Sequence, residues 1–364
     1  MKRFIVRLGI HIGLLGLVTV IWSFGVSSRK QTTVSIKGEQ FYINNALTYK
    51  GRYWNNLKIE GLLFNSRMVQ GIFDDLNPET RMNFIYPDMQ KWDPERNTNE
   101  FIQAMSKWKS YGLLAFTLNL QGGSPTGYGN KNWINSTFDS LGNLRPAYIN
   151  RLERILNKAD ELNMVVILGY FYFGQDELLR DEEAVINAVD NITYWILQKK
   201  YTNILIEINN ECDIHYDHEI LKPRRVTELI KRVKEISHNN LLVSTSYRGN
   251  RVPSDSVIKN SDFVLLHGNG ANKLEIIELV NSVRSSKAFT PKPILFNEDD
   301  HYNFNHESYN LLSAIKHYAS WGYFDFRRKS ENFESGFQSV PVDWNVSSDR
   351  KKDFFNKLKE ITGN

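Results

Sequence analysis

Residues 203–211 read Asn-Ile-Leu-Ile-Glu-Ile-Asn-Asn-Glu, a short apolar run that turns polar at its C-terminal end. A run of the same kind, MVVILG, stands at 164–169, and 181–200 between them carries a helical pattern. Downstream the alternation continues. Strands are expected at 241–245, 263–267, 293–297 (PILFN) and 323–326, and helices at 223–237, near 254–260, 273–285, 307–321 and 349–361. Upstream, 62–69 and 113–120 (LLAFTLNL) are two more apolar strands. Asn97-Thr98-Asn99-Glu100 reads as a capping box opening a helix that ends at Gly112. Pro146 suits a first helical position and opens a helix to about residue 163, with Tyr148, Leu152, Ile155 and Ala159 on one face.

Strands that are apolar almost throughout are those buried on both faces, as in parallel sheets covered by helices. Eight such strands with helices between them predict a closed (β/α)8 (TIM) barrel. A doubly wound sheet would need a glycine-rich phosphate turn leading straight into a helix. The glycine-rich stretch at 122–127 follows a strand, but the next helix begins only at Pro146, so this stretch reads as a rim loop. Strands at 33–36 and 40–43, joined across Gly38, predict a short N-terminal β-hairpin. The 45 Lys and Arg against 41 Asp and Glu leave a net charge of +4 over 364 residues, too little to point to a nucleic-acid partner. The one cysteine, Cys212, excludes an internal disulfide and reads as buried and inert.

Residues 1–30 read as a targeting segment rather than part of the fold. Lys2, Arg3 and Arg7 precede a mostly apolar run at 8–26, and Gly25, Ser27 and Ser28 are small enough for a cleavage site. A cleaved signal peptide and an uncleaved membrane anchor, tethering through 8–26, both fit. In either case the basic residues stay inside and the domain at 31–364 is exported: secreted, periplasmic or anchored outside the cytoplasm.

In a barrel of this kind the chemistry belongs at the C-terminal ends of the strands. Those ends carry Asn65, Ser66 and Arg67; Asn119 and Gln121; Tyr170 and Tyr172; Asn210 and Glu211; Ser246 and Arg248; His267 and Asn269; and Asn297, Glu298, Asp299 and Asp300. So polar and aromatic a rim suits a polyhydroxylated ligand. Glu211 ends the fourth strand and Glu298 the seventh, three steps apart, which places the two carboxyls across the mouth from one another. Two carboxyls about 5–5.5 Å apart support double displacement through a covalent glycosyl intermediate. One must then donate a proton while the other stays ionised.

The run Glu207-Ile208-Asn209-Asn210-Glu211, with Glu298 ending the seventh strand, resembles the retaining glycoside hydrolases of clan A, above all the cellulase-like barrels of family 5. The resemblance implies that Glu211 is the acid/base, Asn210 the partner of the sugar 2-hydroxyl and Glu298 the nucleophile. It implies that His267 matches a family histidine and that the substrate is a β-linked oligo- or polysaccharide. Two carboxyls and water suffice for that reaction, so no cofactor and no metal is expected.

The chain departs from the family at three places. Asn269 stands where a tyrosine usually follows the histidine, Tyr170 and Tyr172 replace the third-strand histidine, and Cys212 replaces a proline. Arg67, Asn119, Tyr172, His267 and Asn269 are further substrate-binding candidates. Trp344 is the expected ring platform, chosen over Trp321, Tyr323 and Phe324. Glu207 shares a face with Asn209 and Glu211 by strand alternation and reads as half of a structural ion pair, with Arg67 as its candidate partner. A non-catalytic carbohydrate-binding barrel is the alternative reading. A metal-dependent hydrolase is another, built on Asp213, His215, Asp217 and His218 or on Asp299, Asp300, His301 and His306.

Overall fold

The computed structural model describes residues 31–128, 132–304, 306 and 309–364. Residues 1–30, read from the sequence as a targeting segment, lie outside the described residues, and among those described no helix is long and apolar enough to cross a membrane. The barrel strands are β1 (Asn65–Arg67), β2 (Ala115–Asn119), β3 (Val165–Tyr172), β4 (Ile204–Asn210), β5 (Leu242–Ser244), β6 (Val264–His267), β7 (Ile294–Glu298) and β8 (Gly322–Tyr323). The helices that follow them in turn are α1 (Pro94–Ser110), α2 (Pro146–Glu161), α3 (Glu182–Lys199), α4 (Val226–Ile236), α5 (Asp255–Asn260), α6 (Lys273–Ser285), α7 (Asn310–Lys316) and α8 (Asp349–Thr362).

All the barrel pairings are parallel. Six strands form one sheet in the order β5-β4-β3-β2-β1-β8, and β6 pairs with β7. Single contacts close the circle. Ser320, just before β8, exchanges hydrogen bonds with Ile294 and Phe296 of β7, both 2.9 Å, and Asp262 N–H donates to the Val243 carbonyl of β5 at 2.9 Å. The alternation of strand and helix read from the sequence therefore becomes a (β/α)8 barrel.

Two apolar layers follow from strand alternation. Outward residues such as Phe116, Leu118, Val166 and Ile206 pack under the helices, against Leu152, Ile155 and Ile192. Inward residues Leu63, Ala115, Val165, Ile167, Leu205, Leu265 and Leu295 form a separate cluster with Phe41 and Phe263. Phe41 comes from the N-terminal hairpin, whose strands Val34–Lys37 and Gln40–Ile43 pair with Val34 opposite Ile43. Further along the same inward-facing rows the residues turn polar: Asn65, Thr117, Asn119, Glu207, His267 and Asn297, all buried. Glycine is required where these side chains cross the interior. A Cβ on Gly169 would lie 2.4 Å from Asn119 Oδ1, and one on Gly322 would lie 2.3 Å from Asn65 Oδ1.

Some boundaries differ from the sequence reading, for local reasons. The first long helix starts at Pro94, capped by Asp93, whose carboxylate accepts from the N–H groups of Glu95 and Arg96. Asn97 and Thr98 are not caps. They are buried inside the helix and donate to the carbonyls of Gln70 and Gly71, both at 2.7 Å, tying α1 to the loop after β1. Helix α7 is shorter than 307–321, and residues 307 and 308 lie outside the described residues. Tyr318 adopts a left-handed conformation (φ 49°), which ends the helix and frees Ser320 to bridge to β7. Strand β8 accordingly ends at Tyr323 rather than at 326.

Candidate active site

Glu211 follows β4 in the left-handed region (φ 55°), an uncommon conformation for a residue with a side chain, and one found where the surrounding structure over-determines it. Here the determinant is Ser246, after β5. Its Oγ accepts the Glu211 N–H and its carbonyl accepts the Cys212 N–H, both at 2.9 Å. The turn aims the Glu211 carboxyl at His267, whose Nδ1 lies 2.9 Å from Oε1. At the end of β6 the register shifts between Leu266 and His267, setting His267 directly opposite Glu298 of β7.

Glu298 is surrounded by donors. Arg67 Nη1, from the end of β1, lies 2.9 Å from its Oε2, the Asn269 amide donates to its Oε1, and His267 Nδ1 stands 3.6 Å from Oε2. One oxygen of Glu211, one oxygen of Glu298 and a ring nitrogen of His267 lie within 4.8 Å of one another. Strands four and seven thus bring their carboxyls onto one point.

Two basic side chains are interleaved with these acids. Burial works against the charge on Arg67, but Glu298 and, more weakly, Tyr172, Glu207 and Glu211 outweigh it and hold the guanidinium above its usual range. Arg67 also donates from Nε to Gln338 at 3.2 Å and lies 5.7 Å from the centre of the Phe324 ring. For His267, burial again opposes the charged ring, and the carboxylates of Glu298, Glu211 and Glu207 more than compensate, so its pKa is raised. A divalent ion between Glu211 and Glu298 would face the Arg67 guanidinium, which already supplies the positive charge there.

The remaining candidates fall in different places. Tyr172, at the end of β3, shares a hydrogen bond with Ser124 at 3.0 Å and stacks on Phe173. Burial pushes its hydroxyl up to about 12, and Arg67, Glu211 and Glu298 all act on it. Asn210 adjoins Glu211, with its buried Oδ1 lacking a hydrogen-bond partner among the described residues. Asn119 is in register with Gly169, and Gly169 with Glu207, so it lies in the barrel floor one layer beneath Glu211.

Trp344 is no platform. It is 1% exposed, packed among Phe101, Trp108 and Phe337, and donates from Nε1 to Asn97 at 3.0 Å, so neither ring face can meet a ligand. The ring that sequence reasoning missed is Tyr128. It is 54% exposed and stands edge-on to Phe324 and Phe326, with the carboxylates of Glu298, Asp300 and Glu211 acting on its hydroxyl. The signal was an aromatic residue directly after the glycine-rich rim loop.

A further expectation is corrected. Glu207 does not pair with Arg67, which is engaged by Glu298; it bonds instead to Ser246 and Asn297. Asn209 is tied elsewhere: its side chain donates to the Leu221 carbonyl and accepts from Thr245. Four of the residues weighed as metal ligands have local partners, although ligand atoms of Asp299, Asp300 and His301 do lie within 4.8 Å of one another. Asp213 accepts from the Arg248 N–H at 2.7 Å, and His218 Nε2 meets the carbonyls of Asp176 and Leu179 at 3.1 Å. Asp299 accepts from Trp321 at 2.8 Å, from Asn310 at 3.0 Å and from His301 at 2.7 Å.

No family model and no curated protein matches this chain. Solved structures do, and the class they define is the (β/α)8 barrel of family 5 and related clan A glycoside hydrolases. A family 5 glycoside hydrolase from Bacteroides vulgatus superposes with a TM-score of 0.55 at 14% identity, covering 89% of this chain and 70% of that one. A β-mannanase from the blue mussel Mytilus edulis gives 0.54 at 11% identity, covering 92% and 97%. A family 5 mannosidase from Rhizomucor miehei gives 0.53 at 12% identity, covering 91% and 97%. At such identities the likeness is one of fold.

Proposed function

We propose that this protein is a retaining glycoside hydrolase that cleaves a β-linked oligo- or polysaccharide, with Glu298 as nucleophile and Glu211 as acid/base. The observation that carries the reading is the convergence of these two carboxyls, from the ends of β7 and β4, to within 4.8 Å oxygen to oxygen. That closeness favours a retaining mechanism, because an inverting one needs a wider gap, about 6.5–9.5 Å, to seat a water between the general base and the anomeric carbon. The roles follow from the donors. Both oxygens of Glu298 face hydrogen-bearing nitrogens, of Arg67 and Asn269, which are the surroundings of an anion. Glu211 reaches one ring nitrogen and keeps more of its carboxyl toward solvent, where a proton must be delivered and recovered.

In the first step a Glu298 oxygen attacks the anomeric carbon, the bond to the leaving oxygen breaks, and the Glu211 proton passes to that oxygen. In the second, Glu211 takes a proton from water, whose oxygen attacks the same carbon and displaces Glu298 with net retention. The likeness to glycoside hydrolase structures supports the substrate class. The basic and apolar pattern of residues 1–30 supports export of the domain at 31–364, with or without a membrane tether.

Glu298→Ala is expected to lose at least ~10³-fold in turnover of an activated aryl β-glycoside, with partial recovery in azide and formation of the glycosyl azide. An activated fluoro-sugar should label Glu298, read by peptide mass spectrometry. Near-normal turnover by Glu298→Ala would overturn the assignment. Binding across a glycan panel without turnover by the parent would favour a non-catalytic barrel instead.

A further inference from the structure

Glu207 is a fully buried carboxyl that the two-step reaction does not use. It lies on β4 one layer below the acids, yet its contacts reach every strand end that carries them. Its Oε1 accepts from Ser246 Oγ at 2.5 Å, and the same Oγ accepts the Glu211 N–H at 2.9 Å. Its Oε2 accepts from the Asn297 amide at 3.1 Å, and Asn297 immediately precedes Glu298 on β7. His267 Nε2 faces Oε1 at 4.0 Å, while Nδ1 of the same ring meets Glu211 and Glu298. We propose that Glu207 is a positioning residue for the reaction proposed above: one buried carboxyl that orients Glu211 through Ser246 and Glu298 through Asn297, and whose charge faces the ring of His267.

A carboxyl at this depth is costly unless its oxygens are occupied, and apolar side chains fill the equivalent inward positions one layer below. Its placement is therefore best explained by what it holds. The side chain connects β4, β5, β6 and β7, four strands whose mutual register sets the spacing of the acids. A shift of about 1 Å in such a constellation can cost ~10²-fold in rate. The ionisable groups acting on Glu207 or His267 are Arg67 from β1, Glu211, Cys212 and Tyr216 from the end of β4 and beyond, and Glu298 from β7. Among these carboxylates Glu207 is the one on the Nε2 side of the ring, so removing its charge should ease deprotonation of His267.

Three variants test this. Glu207→Gln keeps the shape and loses the charge; it should lower kcat by ~10–100-fold while KM changes less than about threefold. With ring-15N histidine, the His267 titration followed by NMR should move to lower pH in that variant. Glu207→Asp restores the charge and should return the His267 titration toward that of the parent, with a smaller loss in kcat. Ser246→Ala cuts one arm, leaving the Glu207 carboxyl in place but without the donor to its Oε1, and should lower kcat with KM nearly fixed, so it tests the proposal if Glu207→Gln does not fold. A folded Glu207→Gln with kcat within twofold of the parent and an unmoved His267 titration would overturn the proposal, as would a Ser246→Ala variant of parental kcat. The NMR readout needs no substrate. If the parent hydrolyses no glycoside, the functional reading fails on its own, and the role of Glu207 is still judged by the His267 titration.

Discussion

Arg67 and Tyr128 both contact one ring, Phe324, and differ in what they leave open at the mouth of the barrel. Arg67 is enclosed, with its charge answered by Glu298 at 2.9 Å, so it fixes the Glu298 carboxyl. Tyr128 is the exposed partner, edge-on to Phe324 at 5.6 Å and to Phe326 at 5.0 Å, with the carboxylates of Glu298 and Glu211 acting on its hydroxyl. The apolar CH face of a pyranose is matched by such a ring, and aromatic contacts contribute about 0.5–1.5 kcal/mol. Tyr128→Ala should therefore raise KM by roughly 2–13-fold with kcat within about twofold, and Tyr128→Phe should stay near the parent. Michaelis–Menten kinetics on an oligosaccharide would check this, and an unchanged KM in Tyr128→Ala would remove the ring from the binding surface.

The last helix, α8, is held to the barrel by an ionic clamp. Arg350 Nε donates to Asp325 at 2.9 Å, and its other nitrogens engage both oxygens of Glu331 in the loop before it. The Arg350 hydrogen bonds hold the Glu331 carboxyl down from 4.5 to about 2. A lowered carboxyl pKa means stability that is present above pH ~4.5 and is lost as pH falls toward ~2. Scaled at 1.36 kcal/mol per unit and discounted for partial exposure, Glu331 contributes roughly 2–3 kcal/mol at neutral pH. Urea unfolding should show Glu331→Gln destabilised by about that much at pH 7, with the two proteins converging between pH 4.5 and 2. A gap that stays constant with pH would mean the clamp is not ionic.

Elements of this scale were also the most legible in the sequence. The helix expected at 273–285 is α6 residue for residue, because Asn272 and Glu275 form a true capping box. Asn97-Thr98-Asn99-Glu100 carries the same letters and sits inside α1, because the groups that cap a helix also satisfy buried carbonyls, and only tertiary packing decides which. The two acids were legible as strand ends. Trp344 and Tyr128 were not separable, since whether a ring is enclosed depends on Phe101, Trp108 and Phe337, which come from distant parts of the chain.

Across the whole molecule the barrel interior is graded along its axis. Leu63, Ala115, Val165, Leu205 and Leu295 fill the N-terminal half, and polar residues from Asn65 to Glu207 and His267 fill the half that leads to the acids. An apolar floor of this kind must itself be closed against water, and the hairpin does that with Phe41, which is fully buried and lies 6.5 Å from the ring of Phe263. Val34, Ile36 and Ile43 pack around it. Stability and chemistry are thereby assigned to opposite ends of one cavity, and a change at the plug should be felt in the first and not in the second. Phe41→Ala removes the plug from a close-packed site, where truncation of a buried phenylalanine costs about 3–5 kcal/mol. Denaturant unfolding should register that loss, while kcat on an aryl glycoside, measured well below the unfolding transition, should stay within about twofold of the parent. A parallel fall in kcat would show that the polar layer holding Glu207 and His267 yields when the floor beneath it gives way.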